Sequence, residues 1–348
     1  MNNNTWGKQL AESYKRKTLG KSRNIRLPAQ DRIEFDGEKG CVKVTMKSKA
    51  ILANLQTNAA AFEAWSLALR VWCDVENIEL RWERPDENAS KEAMFHYQRF
   101  LYRVERFRSL FPEWFHLDSE RHGDGKALGK GPFYLNTPGV RRSDGIHGAD
   151  EPLAHCDSEF KREADLEAYL WKYKPFHERF RLEAVYRQLP VGLFDGPTMT
   201  QNNRIFTGGK SAIDLVGIGD GALWLFELKA EKNIPAGILS ELIFYTSVMR
   251  DAIPGPSGKQ GPFQFKSSKP SDELVSAVIG CKRIEAVLLG PQFHPLIGDK
   301  RVISTLNEAA ARQWNISKEQ VPVTFSAVQV VCSTAKGYQF EPGLDSVQ

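Results

Sequence analysis

The sequence predicts a mixed α/β protein, built on a mixed sheet with helices on both faces and carrying a smaller α+β domain in front of it. Three observations carry that expectation. Short apolar runs with strand spacing alternate with helical-period stretches in the order α-β-β-β-α-β-α-β over the second half of the chain. Gly and Pro clusters punctuate these runs at the points where the period changes. The composition, 41% hydrophobic, 11% aromatic and 26% charged, is that of ordinary packed cores and excludes a wholly disordered chain.

The elements follow in order. Residues 1–28 read as a basic arm, with Lys8, Lys15, Arg16, Lys17, Lys21, Arg23 and Arg26 against Glu12 alone. A solvated, frayed terminus is the favoured reading, and phosphate binding driven by counterion release is the other. Residues 29–118 read as a small α+β domain for recognition or assembly. Arg32–Asp36 and Cys41–Met46 are its first strands, turning through Gly37 and Gly40. Asn58–Trp72 is a helix with Phe62, Trp65, Leu69 and Trp72 on one side, and Asn77–Arg84 is a strand that stops at Pro85. Asn88–Phe111 is a second helix. Its Arg99, Arg103 and Arg106 share one face opposite Met94, Tyr97, Leu101, Val104 and Phe107, which makes the arginines a solvated stripe and candidate nucleic-acid contacts. Residues 119–157 are Gly-rich and read as a linker.

The second domain is expected over residues 158–341. Ser158–Tyr173 is helical and closes at Pro175, Phe180–Leu189 is a strand, and Ser211–Ile218 and Ala222–Lys229 form a hairpin around Gly219-Asp220-Gly221. Pro235–Asp251 is a helix opened by its proline. Ala252–Ser271 is a loop, followed by strand Ile284–Leu289, helix Ser304–Trp314 and strand Val323–Cys332.

Charge and cysteine usage bound the function classes. The 348 residues hold 47 Lys+Arg and 43 Asp+Glu, a net charge of +4. No apolar run approaches the ~18–20 residues of a membrane span. The opening MNNNTWGKQL has no secretory apolar segment. Five scattered cysteines without a C-x-x-C pair argue against a disulfide framework or a zinc ribbon. A soluble cytoplasmic protein is expected.

The hairpin carries the chemistry. If Asp220-Gly221 closes a two-residue type I′ turn, Asp214 lies directly across from Glu227, and Lys229 projects from the same face two residues on. The rest of both faces is apolar, so charged groups there need a partner or a metal. Two facing carboxylates repel one another, and a divalent cation removes that repulsion. The alternative is a structural salt bridge of Lys229 with one acid, which leaves the convergence of two acids unexplained. A third acid is expected from the preceding helix, where Glu163 and Glu167 stand one turn apart. Thr207-Gly-Gly-Lys-Ser211 resembles the end of a phosphate loop, but it lacks the first glycine and leads into a strand.

At these residues the chain resembles the PD-(D/E)XK nuclease superfamily, the restriction-endonuclease-like fold. The resemblance rests on Ile213-Asp214 and Glu227-Leu228-Lys229, thirteen residues apart across a hairpin, and on Glu163-Ala-Asp-Leu166 upstream. Glu241-Leu-Ile-Phe-Tyr245 stands where many members carry Q-x-x-x-Y, with Glu in place of Gln. The resemblance covers roughly residues 158–335. It implies an αβββαβ core and a Mg²⁺-dependent nuclease, with Mn²⁺ able to substitute. Asp214, Glu227, Glu163 and the Leu228 carbonyl would hold the metal. Lys229 would act on the attacking water, and Glu241 and Tyr245 would join the arginines as nucleic-acid contact candidates. The expected products carry 5′-phosphate and 3′-hydroxyl ends. DNA is the expected partner, with a role in anti-phage defence, restriction or repair; no membrane is expected, and a homo-oligomer is left open. The alternatives are a catalytically inactive nuclease-fold protein that binds nucleic acid or acts in assembly, and a nuclease directed at RNA.

Overall fold

The computed structural model describes residues 2–17, 27–86, 88–118, 128, 131–136, 141–143, 163–206, 211–230, 235–266, 272–333 and 337–342. It is a mixed α/β structure, as the sequence predicts. The chain divides into two compact units. Unit 1 gathers Met1–Gly129 with Pro235–Glu241 and His294–Thr305, and unit 2 holds the remainder. Both thus depart from the contiguous domains expected from the sequence.

In unit 1, β1 (Ile33–Glu38), β2 (Cys41–Met46), β3 (Ile78–Trp82) and β4 (Phe115–Leu117) form one sheet in that order. The first pair is antiparallel and the others are parallel. The residues described from the basic arm are not frayed. They form helix α1 (Asn3–Lys17), with Asn3, Trp6, Leu10 and Ser13 buried at helical spacing. The Asn3 amide completes the hydrogen bonding of β1, donating to the Ile33 carbonyl at 2.7 Å and accepting from the Phe35 N–H at 2.6 Å. Residues 18–26 of the arm lie outside the described residues.

The arginine stripe also needs correction. Helix α4 (Lys91–Leu110), capped by the Ser90 hydroxyl, buries Arg99 and Arg103. Arg103 makes a two-point bridge to Glu63 on helix α3 (Phe62–Cys73), at 2.8 and 2.5 Å, and donates to the Ala60 carbonyl at 2.7 Å. Its guanidinium also lies over the Phe62 ring. Arg99 bonds the His96 ring at 2.9 Å, and Arg106 lies over Tyr102. A two-point bridge suits the planar guanidinium fork. These bonds tie Arg103 to the interior of the unit and remove it as a phosphate contact.

Unit 2 centres on a seven-stranded sheet. Its strands, in spatial order, are β14 (Gly337–Pro342), β13 (Val323–Ser333), β12 (Arg283–Gly290), β10 (Ala222–Leu228), β9 (Ala212–Gly219), β7 (Ala184–Pro190) and β6 (Arg141–Ser143). Strands β7, β9 and β10 run as an antiparallel meander, and β10, β12 and β13 are parallel. Helix α5 (Glu163–Lys172) precedes the meander and α7 (Gly237–Ala252) follows it, while α8 (Asp272–Gly280), an additional helix not expected from the sequence, stands directly before β12. Strand β6 and β5 (Phe133–Leu135) both fall in the stretch read as a linker. Strand β5 joins β8 (Leu193–Asp195) and β11 (Phe263–Phe265) in a small separate sheet. Pro175 opens a further short helix, α6 (Lys174–Phe180), in place of merely ending α5.

The meander is held in place by close packing. Phe176, Phe180, Leu166, Leu170, Leu215, Phe226 and Leu228 belong to one buried cluster beneath α5 and α6. At Gly219 a Cβ would stand 2.0 Å from the Arg181 carbonyl, so only glycine allows the turn after α6 to lie against β9.

Candidate metal centre

The β9–β10 hairpin has the register expected from its turn. Asp220 and Gly221 both have positive φ, 51° and 69°, as a type I′ turn requires. The ladder runs from Ala222↔Gly219 to Phe226↔Leu215, which sets Asp214 and Glu227 at the next opposed position. There the Asp214 Oδ2 accepts the Leu228 N–H at 2.9 Å, while the Lys229 N–H donates to the Leu289 carbonyl on β12 at 2.9 Å. The end of β10 is therefore held on one side by the Asp214 carboxylate and on the other by the backbone of β12.

Glu163 reaches this point from the first described turn of α5. Glu163, Asp214 and Glu227 each present a carboxylate oxygen, and the three oxygens lie within 4.8 Å of one another. Glu227 is buried, Asp214 is half-buried and the Glu163 side chain is 39% exposed, so the group opens to solvent on the helix side. The sequence-predicted trio is thus brought together.

A cation already stands among these oxygens. The Lys229 ammonium donates to Glu163 Oε1 at 2.8 Å, to Glu227 Oε1 at 3.1 Å and to the Leu228 carbonyl at 2.7 Å. Those three acceptors belong to the ligand set that the family resemblance implies for a metal. Lys229 is only 6% exposed, so it makes these bonds largely sheltered from water. The salt bridge considered as an alternative is therefore present, and it coexists with the converging acids.

Glu167, one turn further along α5, faces another set of partners. It is buried and accepts from Arg187 Nε at 2.6 Å and from the Gln188 amide at 2.7 Å. The Arg187 guanidinium lies over the Trp171 ring. Gln188 also reaches Asp214 Oδ1 at 3.3 Å. Sequence reasoning missed Arg187 and Gln188, because nothing in their residue types marks them.

Of the remaining candidates, Glu241 and Tyr245 on α7 are 5% and 2% exposed. The Thr207–Lys210 stretch lies outside the described residues. No described helix is long and apolar enough to cross a membrane.

The donor set suits a hard divalent cation. Three carboxylates and a carbonyl supply only oxygen, which favours Mg²⁺ or Mn²⁺ over zinc. The ammonium shows that Glu163, Glu227 and the Leu228 carbonyl can share one positive charge. Compared with protein-family models, curated proteins and solved structures, the chain matches none.

Proposed function

We propose that this protein is a Mg²⁺-dependent nuclease that hydrolyses phosphodiester bonds of DNA. The observation that carries the reading is the convergence of Glu163, Asp214 and Glu227 on one point beside Lys229. The resemblance of these residues to the PD-(D/E)XK pattern supports it, and so does the order of helix, three-stranded meander and helix that positions them.

Asp214, Glu227, Glu163 and the Leu228 carbonyl would hold the cation. When bound, it would lower the pKa of water and stabilise charge developing on the phosphoryl oxygens. The protein's own residues do the rest. Asp214 and Glu227 are fixed by the hairpin, so their oxygens need no rearrangement to meet a cation. Glu163 sits on the solvent side, where substrate enters. Lys229 carries three donors on a flexible stem and can exchange a carboxylate oxygen for the attacking water or a phosphate oxygen. A role in defence, restriction or repair accords with such an activity.

One observation favours a second reading. The ammonium bonds one carboxylate oxygen each of Glu163 and Glu227 without a metal, as it would in an inactive nuclease-fold protein that serves binding or assembly. The experiment incubates the full chain with plasmid, linear duplex, single-stranded DNA and RNA, in Mg²⁺ or EDTA, beside Asp214→Asn. Cleavage of DNA in Mg²⁺ alone, lost in the variant, supports the nuclease. Cleavage of RNA only redirects the substrate, and no cleavage of any substrate supports the second reading.

A further inference from the structure

Gln188 stands out on the backbone before its side chain is considered. It lies inside β7, between the pairs Arg187↔Leu215 and Leu189↔Ile213, yet its φ is +52°. A non-glycine residue held in that region costs of order 1–3 kcal/mol and persists only when its surroundings demand it.

The side-chain contacts say what is gained. Neighbours along an extended strand point to opposite faces. Arg187 and Gln188 are adjacent, yet both bond the Glu167 carboxylate, Arg187 at Oε1 and Gln188 at Oε2. The left-handed turn at Gln188 is what brings its amide round to that side. The same amide nitrogen then donates to Asp214 Oδ1, while the Leu228 N–H holds Oδ2. Both oxygens of Asp214 are thereby fixed, one from β10 and one from β7.

We propose that Gln188 is a positioning residue that orients the Asp214 carboxylate toward a divalent cation and ties it, through Glu167 and Arg187, to the helix carrying Glu163. This rests on the cation-binding role proposed above for Asp214. The strain at Gln188 is the cost of holding Asp214 in one orientation. Residues that bond to metal ligands typically change metal affinity by 10–100-fold when removed.

The test measures Mn²⁺ affinity by calorimetry on the full-length chain, with melting curves in EDTA, for wild type, Gln188→Gly and Gln188→Asn. Glycine accepts positive φ without strain, so Gln188→Gly keeps the backbone and loses the amide with its bonds to Asp214 and Glu167. The expected result is a 10–100-fold weaker Mn²⁺ Kd with a melting temperature within a few degrees of wild type, because relief of the strained φ offsets the lost bond to Glu167. Asparagine tolerates the left-handed conformation and keeps an amide, so it should recover part of the loss. Wild-type affinity in Gln188→Gly overturns the positioning role and leaves the metal centre standing. Weakening that merely tracks a fall in melting temperature assigns Gln188 to the fold and also overturns it. Wild-type protein that binds no Mn²⁺ overturns this role together with the metal centre.

Discussion

Replacing Lys229 with Met removes the ammonium while keeping most of its apolar stem, and the consequences separate a metal centre from a structural ion pair. Two bridges are lost. The one to Glu227 is buried on both sides, with side chains 8% and 1% exposed, at 3.1 Å. At an effective dielectric near 20, that distance corresponds to about 5 kcal/mol of attraction. Breaking a buried pair by removing one partner costs about 3–5 kcal/mol, because the surviving charge stays buried. The bridge to Glu163, whose side chain is 39% exposed, adds at most about 1 kcal/mol. At roughly 2–4 °C per kcal/mol, Lys229→Met should melt about 6–24 °C below wild type in EDTA. Addition of Mg²⁺ or Mn²⁺ should then recover a large part of the loss, since a cation at 100 times its Kd stabilises by about 2.7 kcal/mol. The rise should exceed that of wild type, where a bound cation has to displace the ammonium. Cleavage should be absent throughout. The assay is a melting curve of both proteins in EDTA and across a Mn²⁺ titration. Unchanged melting in EDTA would show that the ammonium does not hold the carboxylates. A lowered melting temperature that no divalent cation recovers would make the cluster a structural ion pair.

The other expectations concern the neighbouring acids and unit 1. Glu163→Gln should weaken Mn²⁺ binding at least tenfold by calorimetry. Glu167→Gln should mainly lower stability, by about 1–3 kcal/mol, through the lost charge-assisted bond to Arg187; the reverse order would move the centre one helical turn. Arg103→Met should cost about 3–5 kcal/mol in a denaturant melt, because Glu63 stays buried, and should leave DNA affinity unchanged. DNA binding lost without a loss of stability would restore the arginine stripe as a contact surface. Burial raises the Asp299 carboxyl, but bonds from Arg301 and the Trp72 indole outweigh it and hold the group below the usual 3.8. Its folded value is therefore depressed, so its contribution is complete above the unfolded value and is lost as pH falls through the folded one. Asp299→Asn should accordingly melt below wild type at neutral pH, with the gap closing as the pH is lowered beneath 3.8. A gap independent of pH would contradict the assignment.

What the sequence made legible was local. The Asp220-Gly221 dipeptide specifies its turn, and the turn fixes the register, so the opposition of Asp214 and Glu227 followed from two residues. Glu163 was chosen over Glu167 because the pattern Glu163-Ala-Asp-Leu166 matched, and the structure separates the two by their partners. Contacts between residues distant in sequence were not legible. Arg103 has the spacing of a solvated stripe, and only Glu63, forty positions earlier, makes it an interior residue. Trp6 and Leu10 did carry a helical signal, but the density of lysine and arginine around them outweighed it. Pro175 ends one helix and begins the next, and the residue alone does not distinguish the two uses. The conformation of Gln188 left no trace in residue type, because a strained strand position looks like any other polar one.

The central claim is that Glu163, Asp214 and Glu227 form a divalent-cation site, and a crystal soaked in Mn²⁺ tests it most directly. Anomalous scattering at the manganese edge locates the ion independently of any activity. The account predicts a peak bonded to carboxylate oxygens of all three acids, with the Lys229 ammonium moved away from Glu163 and Glu227. A map without manganese at these residues, with Lys229 still bridging the two glutamates, would contradict it.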